Sequence, residues 1–546
     1  MPRATYLAPG VYVEEIPSAQ QPIAGVGTNT VGFIGVVPDQ ILYPEDAPDF
    51  DPVVAQAALL LGQQGKAETD ATRQAKLQIQ SDIDKLQAGI KKLDEEDIPA
   101  AKKRRDDAAT DQERVRAETA LAQREKRKQD LTNELQELQN RLSGAAAPAP
   151  TGGPAGTTAS VLRPYVLTPF DVRVDPFDTR LCTNFSEYTS QFGPFSADDP
   201  SGPPGTALYP GHRILTHAVY GFFKNGGTRC FVARVKGKNA ADANVGDISK
   251  ALEAMESIDA IAIVATPGLD GEAVWGKVIE HCETCEDRFA VLDCPADVGT
   301  KDELDVKLLT YDTPNTVLPQ RNKNAAFYFP YIEVVDPAKQ LQDEDPARQV
   351  PLKYRGRIYV PPSGHIAGIY ARTDEQRGVH KAPANEAVLG AVDLKYYVSK
   401  PKQELLNPQG VNCIRNMNGA ITVWGARTIG GDKNAEWKYL SVRRFFLFLR
   451  ESIDEGTQWV VFEPNDYALW GKIRRNVTAF LTNVWRSGAL FGLTPEEAFY
   501  VKCDAETNPA EIRDLGMVVT EIGVAIVRPA EFVIFRITQS TGLART

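Results

Sequence analysis

Ser363 and His365 stand two residues apart in PPSGHIAG, the two side-chain types that a hydrolase pairs as nucleophile and base. The spacing works against that chemistry, because side chains two apart meet only across a rare bend. None of the five histidines, His212, His217, His281, His365 and His380, lies in a recognisable triad motif. A turn built on Pro361, Pro362 and Gly364 accounts for the segment better. His281, Cys282 and Cys285, with Cys294 nearby, carry the donor atoms of a zinc or redox centre. They fall on one predicted helix without a second CxxC, so packing thiols are the better reading. Gly25, Gly27 and Gly32 do not follow a strand and open a helix, as a phosphate-cradling loop must. No catalytic, cofactor-binding or metal residue is therefore expected. Lys472, Arg474 and Arg475 cluster on one predicted helix and read either as a solvated face or as a contact with a partner.

The elements that hold these residues belong to a large chain. Its 546 residues suggest two to four domains, and 42% hydrophobic residues suffice for substantial cores. Lys+Arg number 61 against 72 Asp+Glu, a net charge of -11, which argues against coating nucleic acid. No run approaches the ~20 apolar residues of a membrane-spanning helix. The N-terminus MPRATYLAPGVYVEE has no apolar signal core, so synthesis and folding in the cytoplasm are expected. Seven cysteines, odd in number and thinly spread, read as reduced and buried.

Residues 1–24 read as an extended arm. Val11 and Val13 alternate with Tyr12 and Glu14 between Pro9 and Pro17, and such an apolar terminus needs something to pair with. The strand VGFIGVV follows at 31–37. From Lys66 to Leu142 the composition changes to 17 basic and 17 acidic residues. Ile79, Ile83, Leu86, Ile90 and Leu93 form a heptad seam, repeated by Leu131, Leu135, Leu138 and Leu142, with Arg124 and Lys128 weakening it between. Pro99 is expected to break the helix and make a hairpin, with Asp94–Asp97 and Lys102–Arg105 facing each other across the break. A Gly/Pro/Ala-rich linker follows at 143–160.

From Tyr165 to about Gly430 the pattern is α/β. The run IDAIAIVATPG at 258–268, a helix, then FAVLDCP at 289–295 read as a parallel crossover unit. Two amphipathic helices are expected at 438–455 and 466–488. Strands are expected at 517–526, split by Gly523, and at 531–537, where Phe532, Val533, Ile534 and Phe535 mirror the N-terminal arm.

Several blocks resemble the phage tail sheath proteins. They are PGVYVEEIPS with IAGVGTNTVGFIG, TNFSEYTSQFG at 183–193, AVYGFFKNGGTRCFVARV at 218–235 and VPPSGHIAGIYARTDEQRGVHKAPANE at 360–386. The most specific is WKYLSVRRFFLFLRESIDEGTQWVVFEPND at 437–466, continuing through LWGKIRRNVTAFLTNVWRSGALFG. The resemblance implies an outer α/β domain of subtilisin-like topology over 25–434, interrupted by the 66–142 insert. It implies an inner sheath domain over 435–528 and a C-terminal arm over 529–546. The arms, through Val11, Tyr12, Val13 and Phe532–Phe535, would exchange strands with neighbouring subunits. Lys472, Arg474 and Arg475 would face an inner tube. The implied partners are further copies in stacked rings, the tube protein, and baseplate and tail-terminator proteins, with no nucleic acid and no membrane insertion. Two rival readings are an α/β enzyme with a coiled-coil appendage and a non-catalytic coiled-coil adaptor.

Overall fold

The computed structural model describes residues 22–48, 50, 86, 87, 89–106, 111–142, 163–300 and 303–534. Val11, Tyr12, Val13, Phe535 and the linker 143–160 lie outside these residues. The chain is a mixed α/β, multidomain protein.

Val31–Val37 is the strand expected from VGFIGVV, and both its faces are buried. Val31, Phe33 and Val37 enter one core while Ile34 and Val36 enter another, as the two-residue period of a strand requires. The strand pairs in parallel with Cys230–Lys236 on one side and Ile263–Ala265 on the other. Phe289–Asp293, Ala325–Phe329 and Val411–Met417 extend the parallel run. Antiparallel strands close both ends: Thr179–Cys182 at one, Ala420–Val423 and then Glu386–Ala387 at the other. The result is a nine-stranded sheet. Helix Glu272–Cys285 makes the crossover between Ile263–Ala265 and Phe289–Asp293, as the spacing predicted.

Helices Pro210–Lys224 and Ser363–Arg377 cover one face of this sheet, and Val245–Glu256 and Glu272–Cys285 the other. The turn expected at 361–364 is instead the start of a helix, with Ser363 its first residue. Gly364 permits this, since a Cβ there would lie 2.3 Å from the Ala218 carbonyl oxygen of the facing helix. A separate three-stranded antiparallel sheet joins Arg357–Val360, Ile332–Val335 and Ala391–Leu394.

The insert is a helical hairpin whose break is not at Pro99. A π-wound segment Leu93–Asp97 runs directly into helix Ile98–Asp106, and the second helix spans Asp111–Leu142. Proline lacks an N–H and crowds the carbonyl four residues back. The wider π turn just before it relieves that conflict, so the helix continues. Across the hairpin Leu86, Ile90 and Leu93 meet Leu131 and Leu135, and Ile98 meets Leu121. Two members of the charged runs pair with the second helix instead of with each other: Asp94 binds Lys128 at 2.7 Å and Lys102 lies 3.7 Å from Glu125.

The C-terminal region is built on helices Leu440–Thr457 and Tyr467–Arg486. The Asp466 carboxylate accepts from Leu469 N at 2.8 Å and starts the second helix. Phe445, Leu449, Trp470, Ile473, Val477, Phe480 and Leu481 form the core between them. Phe499–Lys502 pairs antiparallel with Glu521–Val524. The strand expected over 517–526 is thus shorter, and Gly523 lies inside it rather than splitting it. A Cβ at Gly523 would come within 2.1 Å of the Tyr500 ring, so the glycine makes room for the cross-strand tyrosine.

Candidate assembly site

The chain enters its first strand over a groove in helix Leu440–Thr457. Ile23, buried, sits above Gly456, where an added Cβ would lie 2.6 Å from the isoleucine. Gly25 crosses the Phe448 ring, and Val26 N donates to Ser452 Oγ at 3.1 Å. Arg444, on the same helix, donates to the Thr28 carbonyl at 3.0 Å and forks onto Asp374 at 2.9 and 2.6 Å. Thr28 Oγ1 donates to the same carboxylate at 2.6 Å, and the guanidinium lies 4.6 Å from the Tyr370 ring centre. Burial disfavours the Arg444 charge, but Asp374 more than compensates and holds the guanidinium above its ordinary pKa.

At the other end, Ile526 bridges Leu490, and Phe491 N donates to Ala525 O at 2.7 Å. The chain then reaches Glu531. Arg427 donates to both its carboxylate oxygens, Nε to Oε1 and NH2 to Oε2, each at 2.7 Å. Asn407 Nδ2 donates to Oε1 at 2.7 Å and Tyr439 OH to Oε2 at 3.0 Å. Partial burial pushes the Glu531 pKa up, but the Arg427 and Asn407 hydrogen bonds outweigh it and hold the carboxyl below its usual range. Immediately beyond, Phe532, Val533 and Ile534 are 70%, 70% and 80% exposed. The strand expected at 531–537 is not formed over 531–534, where no ladder partner from the same subunit lies alongside among the described residues.

The two-stranded sheet of Phe499–Lys502 and Glu521–Val524 has open flanks. Among the described residues neither strand carries a ladder on its outer edge. Only the continuation Ala525–Val527 is met, by Ala489–Phe491. Tyr500, 53% exposed, lies on this sheet.

Lys472, Arg474 and Arg475 are all exposed on helix Tyr467–Arg486, opposite Ile473, Val477 and Phe480. The structure separates the three. Arg474 donates to the Cys503 carbonyl at 3.2 Å, whereas Lys472 and Arg475 have no hydrogen-bond or ion-pair partner among the described residues. Three apart on a helix, Lys472 and Arg475 share a face.

Comparison with known proteins adds the decisive observation. A family model described as the phage tail sheath protein central domain matches residues 241–429, and one described as the phage tail sheath C-terminal domain matches 432–540. The two follow each other in order and meet where the α/β sheet ends and helix Leu440–Thr457 is about to begin. The chain belongs to the tail sheath family. The sheath of an extracellular contractile injection system, PVC, in its contracted state is 27% identical. It covers 68% of this chain and 88% of that one, with a TM-score of 0.53. The contracted helical sheath of the anti-feeding prophage is likewise 27% identical, covering 68% of this chain and 92% of that one, TM-score 0.53. A tail sheath protein of Vibrio phage KVP40 is 27% identical over 188 residues, 34% of this chain and 26% of the relative. A prophage major tail sheath protein of Pseudomonas aeruginosa, itself described as putative, is 25% identical over 215 residues, 37% of this chain and 50% of the relative. The chain thus spans half or less of the length of these curated relatives.

In this sheath-family chain the residues that suggested chemistry are placed for packing. Ser363 Oγ donates to Asp293 Oδ2 at 2.5 Å and Ser363 N to Oδ1 at 2.7 Å, so the carboxylate caps a helix start rather than orienting a histidine. Burial pushes the Asp293 carboxyl up to about 7 against those bonds. His365 is buried against Gly221 and makes no bond to Ser363, and burial pushes it down to about 3. His281 lies 3.9 Å from Cys285 Sγ, and its Nε2 accepts from Arg288 NH1 at 3.3 Å. Cys282 is fully buried, its thiol pushed up by desolvation. All seven cysteines are free, six of them buried. Among the described residues, no group of three His, Cys, Asp or Glu side chains is placed to hold a metal ion, and no helix is long and apolar enough to cross a membrane.

Sequence reasoning missed Arg427, Glu531, Arg444 and Asp374. A signal was available for two of them. Arg444 is a charge on the apolar face of RRFFLFL, and Glu531 opens an otherwise apolar EFVIF run. A charge in such a place requires a buried partner.

Proposed function

We propose that this chain is a structural, non-enzymatic subunit of a contractile tail sheath, polymerising around an inner tube and contracting to drive that tube through a target envelope. The outer α/β body, which we read as subtilisin-like, carries the lattice. The C-terminal domain faces the tube through Lys472 and Arg475. Arms containing Val11, Tyr12 and Val13 at one end and Phe532–Phe535 at the other add strands to neighbouring copies. Baseplate and terminator proteins cap the two ends of the polymer.

The observation that carries the reading is the pairing of open and unsatisfied elements in one domain. Among the described residues, the two-stranded sheet Phe499–Lys502 and Glu521–Val524 carries no ladder on its outer edges, and the exposed apolar segment Phe532–Ile534 that follows it in the chain pairs with no strand. Exposed edges and exposed apolar strands are liabilities in a monomer and become complementary between copies. Exchange between copies also keeps subunits connected while they rearrange, without any nucleotide to drive the change. The stored energy lies in the difference between two subunit packings.

The test is truncation. Removing residues 1–17, or ending the chain after Pro529, should leave soluble, folded protein that makes no long tubes under negative-stain electron microscopy. Tubes of normal length from either truncation would sink strand exchange.

A further inference from the structure

Glu531 is held by side-chain hydrogen bonds from three residues, while its neighbour Phe532 is 70% exposed. The Glu531 carboxylate receives four hydrogen bonds, two from Arg427 and one each from Asn407 and Tyr439, which uses its acceptor capacity fully. Arg427 is 2% exposed and equally committed. Its remaining donor NH1 reaches the Asn407 carbonyl at 2.9 Å and Asp432 at 3.0 Å. Asn412, in the parallel sheet strand Val411–Met417, fixes the Arg427 backbone on both sides, accepting from its N at 2.7 Å and donating to its O at 2.8 Å. A planar fork held in this way has one orientation for its carboxylate.

We propose that Glu531 is a positioning residue for strand exchange, a clamp that fixes where, and in what register, the segment from Phe532 onward leaves the subunit. The proposal rests on the strand-exchange reading above and deepens it. The last backbone bond before the clamp is Val527 N to Ala489 O at 3.3 Å. Without Glu531, the four residues from 528 to 531 become slack, with a reach of roughly 13 Å. A strand advances about 6.8 Å for each two-residue repeat, and a slip of one residue turns its apolar side chains to the wrong face. Four slack residues therefore exceed what register tolerates, and the clamp removes them. The clamp's main partners, Asn407 and Arg427, lie on the α/β side of the molecule, with Tyr439 at the start of the first C-terminal helix, although the segment it holds has just left the C-terminal sheet. The departing strand is thereby registered to the body of the subunit rather than to the small sheet beside it.

The test uses the full chain co-expressed with its tube and baseplate, comparing wild type, Glu531→Gln, Glu531→Asp, Glu531→Ala and the truncation after Pro529. Hydrogen exchange at the Ala525 and Val527 amides, the last bonded before the clamp, is read on the soluble subunit, and sheath number and length by electron microscopy. Glu531→Gln, which keeps the side-chain shape and leaves Arg427 its Asp432 partner, should raise exchange at Val527 by about tenfold or more, the loss of one charge-assisted pair, and Glu531→Ala should in addition lower the melting temperature of the main transition because Arg427 stays buried. Sheaths should become fewer and shorter, with Glu531→Asp intermediate because it keeps the charge and loses reach. If Glu531→Ala does not fold, Glu531→Gln carries the test alone. Wild-type sheaths from Glu531→Gln, with none from the truncation, would overturn the clamp and leave strand exchange standing. Wild-type sheaths from the truncation itself would overturn strand exchange, and the clamp with it.

Discussion

Replacing Arg444 by methionine tests whether the N-terminal root is held by the buried ion pair or only by apolar packing. The Arg444 side chain is 3% exposed and Asp374 4%, so neither charge recovers water when its partner is lost. In the variant, Asp374 keeps one short bond from Thr28 Oγ1, and the Thr28 carbonyl loses its donor. Removing one member of a buried pair costs about 3–5 kcal/mol, because the other charge stays buried and uncompensated. For a cooperative unit of 150–250 residues, that is a fall of about 6–20 °C in Tm. The companion Asp374→Leu should cost a similar amount. The double variant Arg444→Met with Asp374→Leu should recover most of the loss, since an apolar pair of similar volume replaces a buried ion pair at little cost. Urea unfolding followed by tryptophan fluorescence suits the measurement, because Trp470 is buried in the C-terminal core and Trp459 and Trp485 pack against it. Hydrogen exchange over 23–30 should rise in both single variants. Single losses below about 1 kcal/mol, or a double variant as unstable as the two singles summed, would refute the argument that the pair acts as a unit.

Two further outcomes are expected. Reversing Lys472 and Arg475 to Glu should lower the fraction of extended particles formed with tube and baseplate while the purified subunit still folds; each exposed contact is worth only ~0–1 kcal/mol, but a sheath repeats it many times. An unchanged extended fraction at both low and high salt would remove this helix face from the tube interface. Stability should also fall as pH drops below about 6.5, the ordinary histidine value. Burial holds His212 down to about 4, His281 to about 4 and His365 to about 3, so the unfolded chain takes up these protons first. The stability they carry is complete above the unfolded value and is lost as pH falls toward the folded values, by up to about 1.4 kcal/mol per pH unit for each histidine. Asp293, held up to about 7 by burial, takes up its proton first in the folded state and offsets one of the three histidines. Urea midpoints from pH 7.5 to 4.5 measure the net slope, which His365→Leu should reduce by about half; a flat profile down to pH 5 would contradict the assignment.

The parts of the fold legible in the sequence are those with a strong period. Val31–Val37, the crossover through Glu272–Cys285 and the two C-terminal helices each repeat apolar residues in a way that burial alone explains. Pro99 and Gly523 misled because their rules are local and their outcomes are not. A π turn absorbed the proline, and a tyrosine on the neighbouring strand filled the space over the glycine. Of the candidate assembly site, Lys472, Arg475 and Phe532–Ile534 were singled out by charge clustering and apolar patterning, and the structure shows that they are exposed, whereas the buried carboxylate clamps gave no such signal. Those depend on partners 70 and 104 residues apart, a distance at which spacing carries no information.

The two roots are crossed, and this bears on how a sheath could hold together under load. The segment that enters the α/β sheet is seated on helix Leu440–Thr457 of the C-terminal domain, through Ile23, Val26 and Thr28. The segment that leaves the C-terminal domain is seated on Arg427 at the edge of the α/β domain. Tension on either arm is therefore carried across the boundary between the domains before it reaches a chain end. The carriers are Arg444 with Asp374 on one side, and Arg427 with Asn412 on the other. If each arm were rooted in its own domain, a pull would instead tend to part the two domains, whose mutual contact would then be the weakest element in series. Crossed roots place a buried bidentate ion pair, rather than an open surface, in the path of the force. Under the strand exchange proposed above, such a subunit would rotate as one body while its arms stay in a neighbour's sheet, which is what a lattice that rearranges without dissociating requires.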